Sequence, residues 1–303
     1  MWLTRSASRG SARLASRRLS TSTDSTVRIA MVGCGKMAEA LADGLQTTFP
    51  RLDLHAHDIN KPRSELFKSR FGATVHSSSS SAVEGANLVV LACKPQNIDD
   101  VGQALAGSID EDAIVLSILA GTPLAVLSDK LTAKRVVRSM PNTPAAVKEG
   151  ITVWMGTPEL SADDNALVSK VLGAFGQEHQ VHDEKFLDMA TAISGSGPAY
   201  VLLLMESMID TGVHLGFPRA VARKLVLQTV RGTAIYADST DDASVNGLRG
   251  DITSPGGTTA SALYELERGG FRTTVSDGLW AAFRRSLELG GQDSNVGPNR
   301  SSR

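Results

Sequence analysis

Val27-Arg28-Ile29-Ala30-Met31-Val32-Gly33-Cys34-Gly35-Lys36-Met37-Ala38 is the stretch that decides the fold. Val27–Val32 reads as a first strand, and Ala38–Leu45 continues as a helix with small residues inward. Between them lies a Gly-x-Gly-x-x-Ala loop. The strand before it and the helix after it turn a weak glycine motif into a dinucleotide-binding signature. Gly33 permits the turn, Gly35 lets a pyrophosphate meet backbone N–H groups, and Ala38 lets the helix pack close on the sheet.

Working outward, Leu52–His57 is a second strand, followed by a helix around Arg63–Arg70. Asn87–Ala92 is another strand with an uninterrupted apolar centre, and Ala113–Ile118, Arg135–Ser139 and Ile151–Met155 follow. Continuous apolar strands separated by helices predict a parallel, doubly wound sheet covered on both faces. The serine run Ser77–Ser81 reads as a solvated loop with a helix cap. After about Asp183 the strand pattern stops. Pro198–Leu215, Pro218–Ala237, Ala243–Arg249, Pro255–Arg268 and Phe271–Leu289 read as helices punctuated by glycines. The fold class is therefore α/β: a Rossmann-like domain over 24–183, then an all-α substrate-binding and dimerisation domain over 184–290. Tyr200–Met205 is apolar on every face, which predicts a helix buried on all sides. A small helical domain of this kind completes its core against a second subunit, so an intertwined homodimer is expected, with a higher oligomer of dimers as an extension.

Residues 1–23 differ from the rest. They hold Arg5, Arg9, Arg13, Arg17 and Arg18, many serines and no acid, the make-up of a transit peptide. A mitochondrial destination is expected, with plastid and cytoplasm as alternatives. Without these five arginines, 26 basic residues face 32 acidic ones, a net charge near −6, which argues against a general nucleic-acid binder. Two cysteines, Cys34 and Cys93, exclude a disulfide scaffold. No membrane span is expected, because Ser194-Gly195-Ser196-Gly197-Pro198 interrupts the apolar run Met189–Met205 and Gly121-Thr122-Pro123 interrupts Ala113–Ser128. The polar tail 291–303 is expected to be disordered.

A second motif, Ser254-Pro255-Gly256-Gly257-Thr258-Thr259, says what else binds. Ser254 reads as a helix cap with Pro255 at the first helical position. The glycines admit a ligand to the backbone, and the helix N-terminus favours an anion such as a carboxylate. A dinucleotide loop and an anion cradle together predict a nicotinamide reductase acting on a small carboxylate. Asp58, near the end of the second strand, suits a ribose 2′-hydroxyl, whereas Asn60, Lys61 and Arg63 suit a 2′-phosphate. Lys94, in Ala92-Cys93-Lys94-Pro95, lies at the switch point and is placed to touch the cofactor. Cys34 and Cys93 read as packed thiols facing one another across that crevice. His179 and His182 make a poor metal pair, and no metal is expected. Glu206 and Asp210 read as solvated or bridged to arginine. Ser194–Pro198 reads as a helix start that lets a nicotinamide approach, and Ser196 lacks the base a nucleophile needs.

At these residues the chain resembles the pyrroline-5-carboxylate reductase family. GCGKMAEAL, ACKP, SMPNTP, SGSGPAY and LRGDITSPGGTT followed by GGFR carry the resemblance across nearly all of 27–289. It implies reduction of the cyclic imine pyrroline-5-carboxylate to proline by NADPH or NADH. By position it implies cofactor contacts from Val32, Gly33, Cys34, Gly35, Lys36 and Met37, from Ala92, Cys93, Lys94 and Pro95, and from Ile118, Leu119 and Ala120. His57 and Asp58 match the adenosine-ribose position, and Ser79 a polar cofactor contact. Ser254, Gly256, Gly257, Thr258 and Thr259 match the carboxylate cradle. Thr259 is the hydroxyl beside the ring nitrogen, and Glu184 and Asp251 are acidic substrate-side positions. Where the family reads Leu-Arg/Lys-Asp, Gly250 follows Arg249 here and Asp251 comes one place later.

The chemistry needs a positioned carbon, a carboxylate anchor and a hydrogen-bonding group near nitrogen, with no strong general acid. Two other readings remain open. A β-hydroxyacid dehydrogenase would need a catalytic lysine on the helical domain, where Lys185 and Lys224 read as surface residues. A dinucleotide-binding sensor would need no cradle.

Overall fold

The strand segments between residues 27 and 180 form one eight-stranded sheet, seen in a computed structural model that describes residues 26–239 and 244–298. The expected transit segment 1–23 and Ala243 lie outside the described residues. The strands are β1 (Val27–Val32), β2 (Leu52–His57), β3 (Thr74–Val75), β4 (Leu88–Leu91), β5 (Ile114–Ser117), β6 (Val136–Met140), β7 (Gly150–Gly156) and β8 (Gly176–Gln180). They lie in the order β3-β2-β1-β4-β5-β6-β7-β8, so the order reverses between β1 and β4. The helices that cross the sheet are α1 (Lys36–Thr48), α2 (Lys61–Phe71), α3 (Ser79–Val83), α4 (Ile98–Leu105), α5 (Leu124–Leu131) and α6 (Ala162–Leu172).

The sheet is not wholly parallel, contrary to the sequence expectation: β7 runs antiparallel to β6, with Met140 opposite Val153. The reason is the connection. Only residues 141–149 join the two strands, too few for the crossover that a parallel pair needs. Strand β8 then returns parallel to β7 through α6. Alternation along β1 sends Ile29 and Met31 into a core with Leu41, Leu45, Phe67 and Trp154, and sends Ala30 and Val32 into a second core with Leu105, Leu124 and Leu127. Both faces of the sheet are thus covered, as the continuous apolar strands require.

The helical region comprises α7 (Lys185–Ala190), α8 (Gly197–His214), α9 (Arg219–Asp238), α10 (Val245–Asp251), α11 (Thr258–Arg268) and α12 (Phe271–Leu289). Ser194–Pro198 does not interrupt it. A π-helical turn over Thr191–Gly195 carries α7 into α8, making one helix from Lys185 to His214. A wide π turn leaves backbone donors unused, so a proline at its end removes nothing needed. By length and composition alone this one helix, among the described residues, is apolar enough to cross a membrane. Its side chains are not buried within the chain, contrary to the all-round burial expected: Leu202 and Leu203 are 62 % and 63 % exposed. Apolar side chains of α9, α11 and α12, among them Ile235, Tyr264 and Val275, are exposed as well.

The polar tail also departs from expectation. Residues 291–298 fold back on α12, where Arg284 donates to the carbonyls of Val296 and Pro298, both at 2.9 Å. Residues 299–303 lie outside the described residues.

Candidate active site

The β1–α1 loop has the shape that the sequence implies. Gly33 has φ +99°, and a Cβ there would stand 2.7 Å from the backbone of Ala92. That proximity brings the end of β1 against the end of β4, at the switch point. Gly35 caps α1 with no side chain on the helix end. A Cβ on Gly35 would meet nothing nearer than the Ala92 carbonyl oxygen at 3.9 Å, so the space above it is open. The first hydrogen bond of α1 runs from Glu39 N to Gly35 O, which leaves the N–H groups of Lys36, Met37 and Ala38 unused by the helix. An open glycine face and a bare helix N-terminus fit the pyrophosphate of a dinucleotide.

The ribose end of the loop is closed by side chains. Asp58 accepts from Cys34 N (2.6 Å) through Oδ2 and from Asn60 N (2.7 Å) through Oδ1. Arg63 donates from Nε to the Cys34 carbonyl (2.6 Å) and from Nη2 to Glu39 (3.0 Å). Arg63 is therefore engaged within the chain and not free to meet a 2′-phosphate. Glu39 also receives Lys36 (3.3 Å) and Arg70 (2.5 Å). Burial raises the affinity of Glu39 for a proton, but the Arg63 and Lys36 hydrogen bonds outweigh it and hold its carboxyl below the usual range. Ser79 begins α3 and is buried, while Ser78 caps that helix by accepting from Ser81 N (3.2 Å). The expectation of a cap in the serine run is met there.

Beneath this end, β2 carries Asp53, His55 and His57 on alternate positions of one face. His55 sits 2.7 Å from His76 and 3.1 Å from Asp53, which pairs with Arg28 at 2.7 Å. His57 donates from Nδ1 to the His76 carbonyl (3.1 Å).

The nicotinamide-side segments follow β4 and β5. Ala92 N donates to Val32 O (2.8 Å) and Ile118 N to Leu91 O (3.1 Å), so the first segment leaves the sheet beside β1 and the second beside β4. Lys94 is exposed and Leu119 is buried. The two thiols do not face each other. Cys34 is buried in the core under α1, whereas Cys93 packs against the core on the other face. Burial first and the Asp58 carboxylate second push the Cys34 thiol up to about 12, and burial raises Cys93.

Glu184 is engaged elsewhere than at the cradle. Its Oε1 accepts from Leu124 N (2.8 Å), at the start of α5, and from Arg138 (2.8 Å) on β6. Arg138 also donates to Asp188 (2.7 Å), which accepts from Ser286 Oγ (2.7 Å) and Gln292 (3.3 Å). Arg138 and Asp188 are both buried, and together they bolt the sheet to α7 and α12. Sequence reasoning missed Arg138, Asp188 and Asn142. A signal existed for the first, since Arg138 is a lone charge inside an apolar strand. Asn142 donates to Ser194 O (3.1 Å) and accepts from Ile151 N (2.9 Å), clamping the π turn to the sheet. In that turn a Cβ on Gly195 would lie 2.4 Å from Met140 Cε, whereas Gly197 faces open space. Gly195 is thus filled by protein, which leaves Gly197 as the open approach.

The Ser254–Thr259 segment is built differently from the expected cap. The helix starts at Thr258 with Gly257 as its cap. Ser254–Gly257 is a turn closed by Gly257 N to Ser254 O (3.0 Å), with Pro255 second and Gly256 third at φ +68°. Proline then φ-positive glycine is the type II signature, which outcompetes a proline-first helix start here. The Gly257 N–H is consequently spent, and Thr258, Thr259 and Ala260 present the free donors. Asp251 ends α10, and Asp251, Ser254, Gly256 and Thr258 are exposed. Among the described residues no extensive packing joins α10 or α11 to the sheet domain, so the cradle is not packed on the nicotinamide-side segments within one chain. Asp210 is bridged to Arg219 (2.7 Å) and Lys185 to Asp183 (2.7 Å), as surface residues. Among the described residues no group of His, Cys, Asp or Glu is placed to hold a metal.

Comparison with known proteins bears on both halves. Residues 184–289 match the family described as pyrroline-5-carboxylate reductase dimerisation, and residues 28–121 match NADP oxidoreductase, coenzyme F420-dependent. The chain is 38 % identical over 263 residues to a pyrroline-5-carboxylate reductase of Pisum sativum, covering 86 % of this chain and 95 % of that one. It is 39 % identical over 270 residues to the enzyme of that name from Pseudomonas aeruginosa, covering 88 % and 98 %. A solved Plasmodium falciparum pyrroline carboxylate reductase with NADP bound superposes with TM-score 0.79 at 31 % identity, covering 87 % of this chain and 98 % of that chain.

Proposed function

The chain belongs to the pyrroline-5-carboxylate reductase family, and from that premise we propose that it reduces the imine of pyrroline-5-carboxylate to L-proline. NADPH or NADH, when bound, supplies the hydride. The observation that carries the reading is the pairing of two anion sites of different shape. One is the open β1–α1 loop for a pyrophosphate, and the other is the turn-and-helix cradle at Ser254–Thr259 for a carboxylate.

The chain's own residues do the positioning. The N–H groups of Lys36, Met37 and Ala38 would hold the pyrophosphate, and the segments Ala92–Pro95, beside β1, and Ile118–Ala120, beside β4, would receive the nicotinamide end. The N–H groups of Thr258, Thr259 and Ala260, at the positive end of α11, hold the substrate carboxylate. The Thr259 hydroxyl donates to or accepts from the ring nitrogen, fixing the imine carbon for attack. No strong acid is required, because the imine nitrogen takes its proton from solvent or arrives protonated. Glu184 serves the site indirectly, by fixing the start of α5 and the Arg138 guanidinium.

The second copy does more than cover apolar helices. Since one chain does not pack its cradle on its own sheet domain, we read the dimer as the unit in which cradle and nicotinamide segments meet. Light scattering distinguishes a dimer from an assembly of dimers. The acid-free, arginine-rich residues 1–23 support a mitochondrial address.

The test is the oxidation of NADPH and NADH with pyrroline-5-carboxylate by protein starting near residue 23, in wild type and Thr259→Val. Substrate-dependent oxidation is expected in wild type. The variant should lose about tenfold or more in kcat/KM, the scale of one charge-assisted hydrogen bond. Unchanged kcat and KM in the variant would remove Thr259 from the mechanism.

A further inference from the structure

We propose that Asp58 makes this chain prefer NADH over NADPH, an inference that rests on the dinucleotide reading of the β1–α1 loop. Both cofactors share the adenine and pyrophosphate, and they differ by one phosphate on the 2′-oxygen of the adenosine ribose. Preference is therefore set by the groups at the end of β2, where that ribose lies in a doubly wound sheet.

Asp58 is held in place from two sides. Cys34 N and Asn60 N each donate to one of its oxygens, so the carboxylate cannot swing away without opening the loop. A fixed carboxylate accepts from a 2′-hydroxyl and repels a 2′-phosphate.

Most of the charged donors that would grip a 2′-phosphate, and part of the backbone, are spent. The Asn60 N–H goes to Asp58, Pro62 has none, and the Arg63 N–H goes to Asn60 O (2.8 Å). The Arg63 guanidinium is locked between the Cys34 carbonyl and Glu39. Lys36 and Arg70 are paired with that same Glu39, and Arg70 also with Asp43 (3.3 Å). On α3, beside β2, Ser78 shares its hydroxyl with Ser80 (3.0 Å) and Ser81 (2.9 Å). Lys61 is the one cation of the α2 start that no acid pairs among the described residues, and it stands on an exposed helix turn. A lone solvated lysine offsets a dianion less than the fixed Asp58 carboxylate opposes it, because its charge is screened and mobile. Ile59, 88 % exposed beside Asp58, offers an apolar seat for the adenine that both cofactors carry.

The experiment is equilibrium titration of the purified dimer with NADH and with NADPH, read by cofactor fluorescence, without substrate. Wild type, Asp58→Asn and Arg63→Met are compared. Wild type should bind NADH tighter by about tenfold or more, from one unscreened like-charge contact. Asp58→Asn should narrow that ratio by about tenfold while NADH still binds. Arg63→Met should leave the ratio on the side of NADH. The inference is overturned if wild type binds NADPH as tightly as NADH. It is also overturned if Arg63→Met selectively loses NADPH, because Arg63 has then left Glu39 for the phosphate. If Asp58→Asn fails to fold, the wild-type ratio and Arg63→Met still decide. Tighter NADH binding without turnover of pyrroline-5-carboxylate by either cofactor would uphold this inference and sink the substrate reading.

Discussion

Asp188→Ala should be among the most damaging substitutions outside the two anion sites. Arg138 and Asp188 have side chains only 3 % and 1 % exposed, and their 2.7 Å contact joins β6 to α7. Removing Asp188 also takes away the acceptor of Ser286 Oγ (2.7 Å) and of Gln292 (3.3 Å). Breaking a buried ion pair from one side costs about 3–5 kcal/mol, because the remaining charge is stranded. Here Glu184 still faces Arg138 at 2.8 Å, which places the cost near the lower end, about 3 kcal/mol. For a chain of this size that corresponds to a fall in melting temperature of about 6–12 °C. The assay is a thermal melt at one fixed protein concentration, since an oligomer's melting point moves with concentration. Arg138→Met on the Asp188→Ala background should recover part of the loss, because it removes the stranded charge. If the two substitutions prove additive to within about 0.5 kcal/mol, the residues are not coupled and the reasoning fails.

Two further predictions concern the sheet domain. Gly33→Ala should destabilise the fold by about 1–3 kcal/mol, because φ is +99° and its Cβ would press on Ala92. Gly35→Ala should instead leave the melting temperature nearly unchanged and weaken dinucleotide binding about tenfold, since its Cβ fills the open face. Equal melting losses in the two variants would contradict this division of roles. The second prediction concerns pH. Burial first, then the neighbouring His55, holds His76 below its ordinary value of 6.5. Glu84 works against this, while Arg28 and His57 add to it. The unfolded chain therefore binds this proton more readily than the folded one, so stability rises with pH. Its contribution is complete above about 6.5 and is lost as pH falls below that. Melts between about pH 5 and 8 should show a shallower acid decline in His76→Asn than in wild type. Matching declines would show that His76 carries none of it.

The legible parts of the fold were those written in local pattern. The bounds of β1 and β2 coincide with the strands read at Val27–Val32 and Leu52–His57, the first a largely apolar run that ends at Gly33 and the second an alternation of polar and apolar residues. Thr74–Val75 left no trace, since a two-residue edge strand has no periodicity to read. The reversal at β7 was legible in the short 141–149 connection, though not in the strand's own composition. Ser194–Pro198 misled because glycine and proline ordinarily break helices, and only the wide π turn accommodates them. In the site, the Gly33–Ala38 loop and the Pro255–Gly256 pair are local chemistry and were found, though the latter forms a turn where a cap was read. The partners of Glu184 lie 46 and 60 residues away, on β6 and at the start of α5, and no spacing rule reaches that far.

The bare flank of α8 gives the helical region a dependence on crowding among its own kind. A helix with Leu202, Leu203 and Leu204 turned outward is finished only when another chain arrives, so its maturation is a second-order process. Each tenfold dilution then costs the pair about 1.4 kcal/mol relative to separated chains. Scarcity itself becomes a denaturant. A newly made chain spends its most vulnerable interval waiting for an encounter, with an apolar stripe available to any other sticky surface. The length of that wait is set by the rate of synthesis as much as by any residue in the sequence.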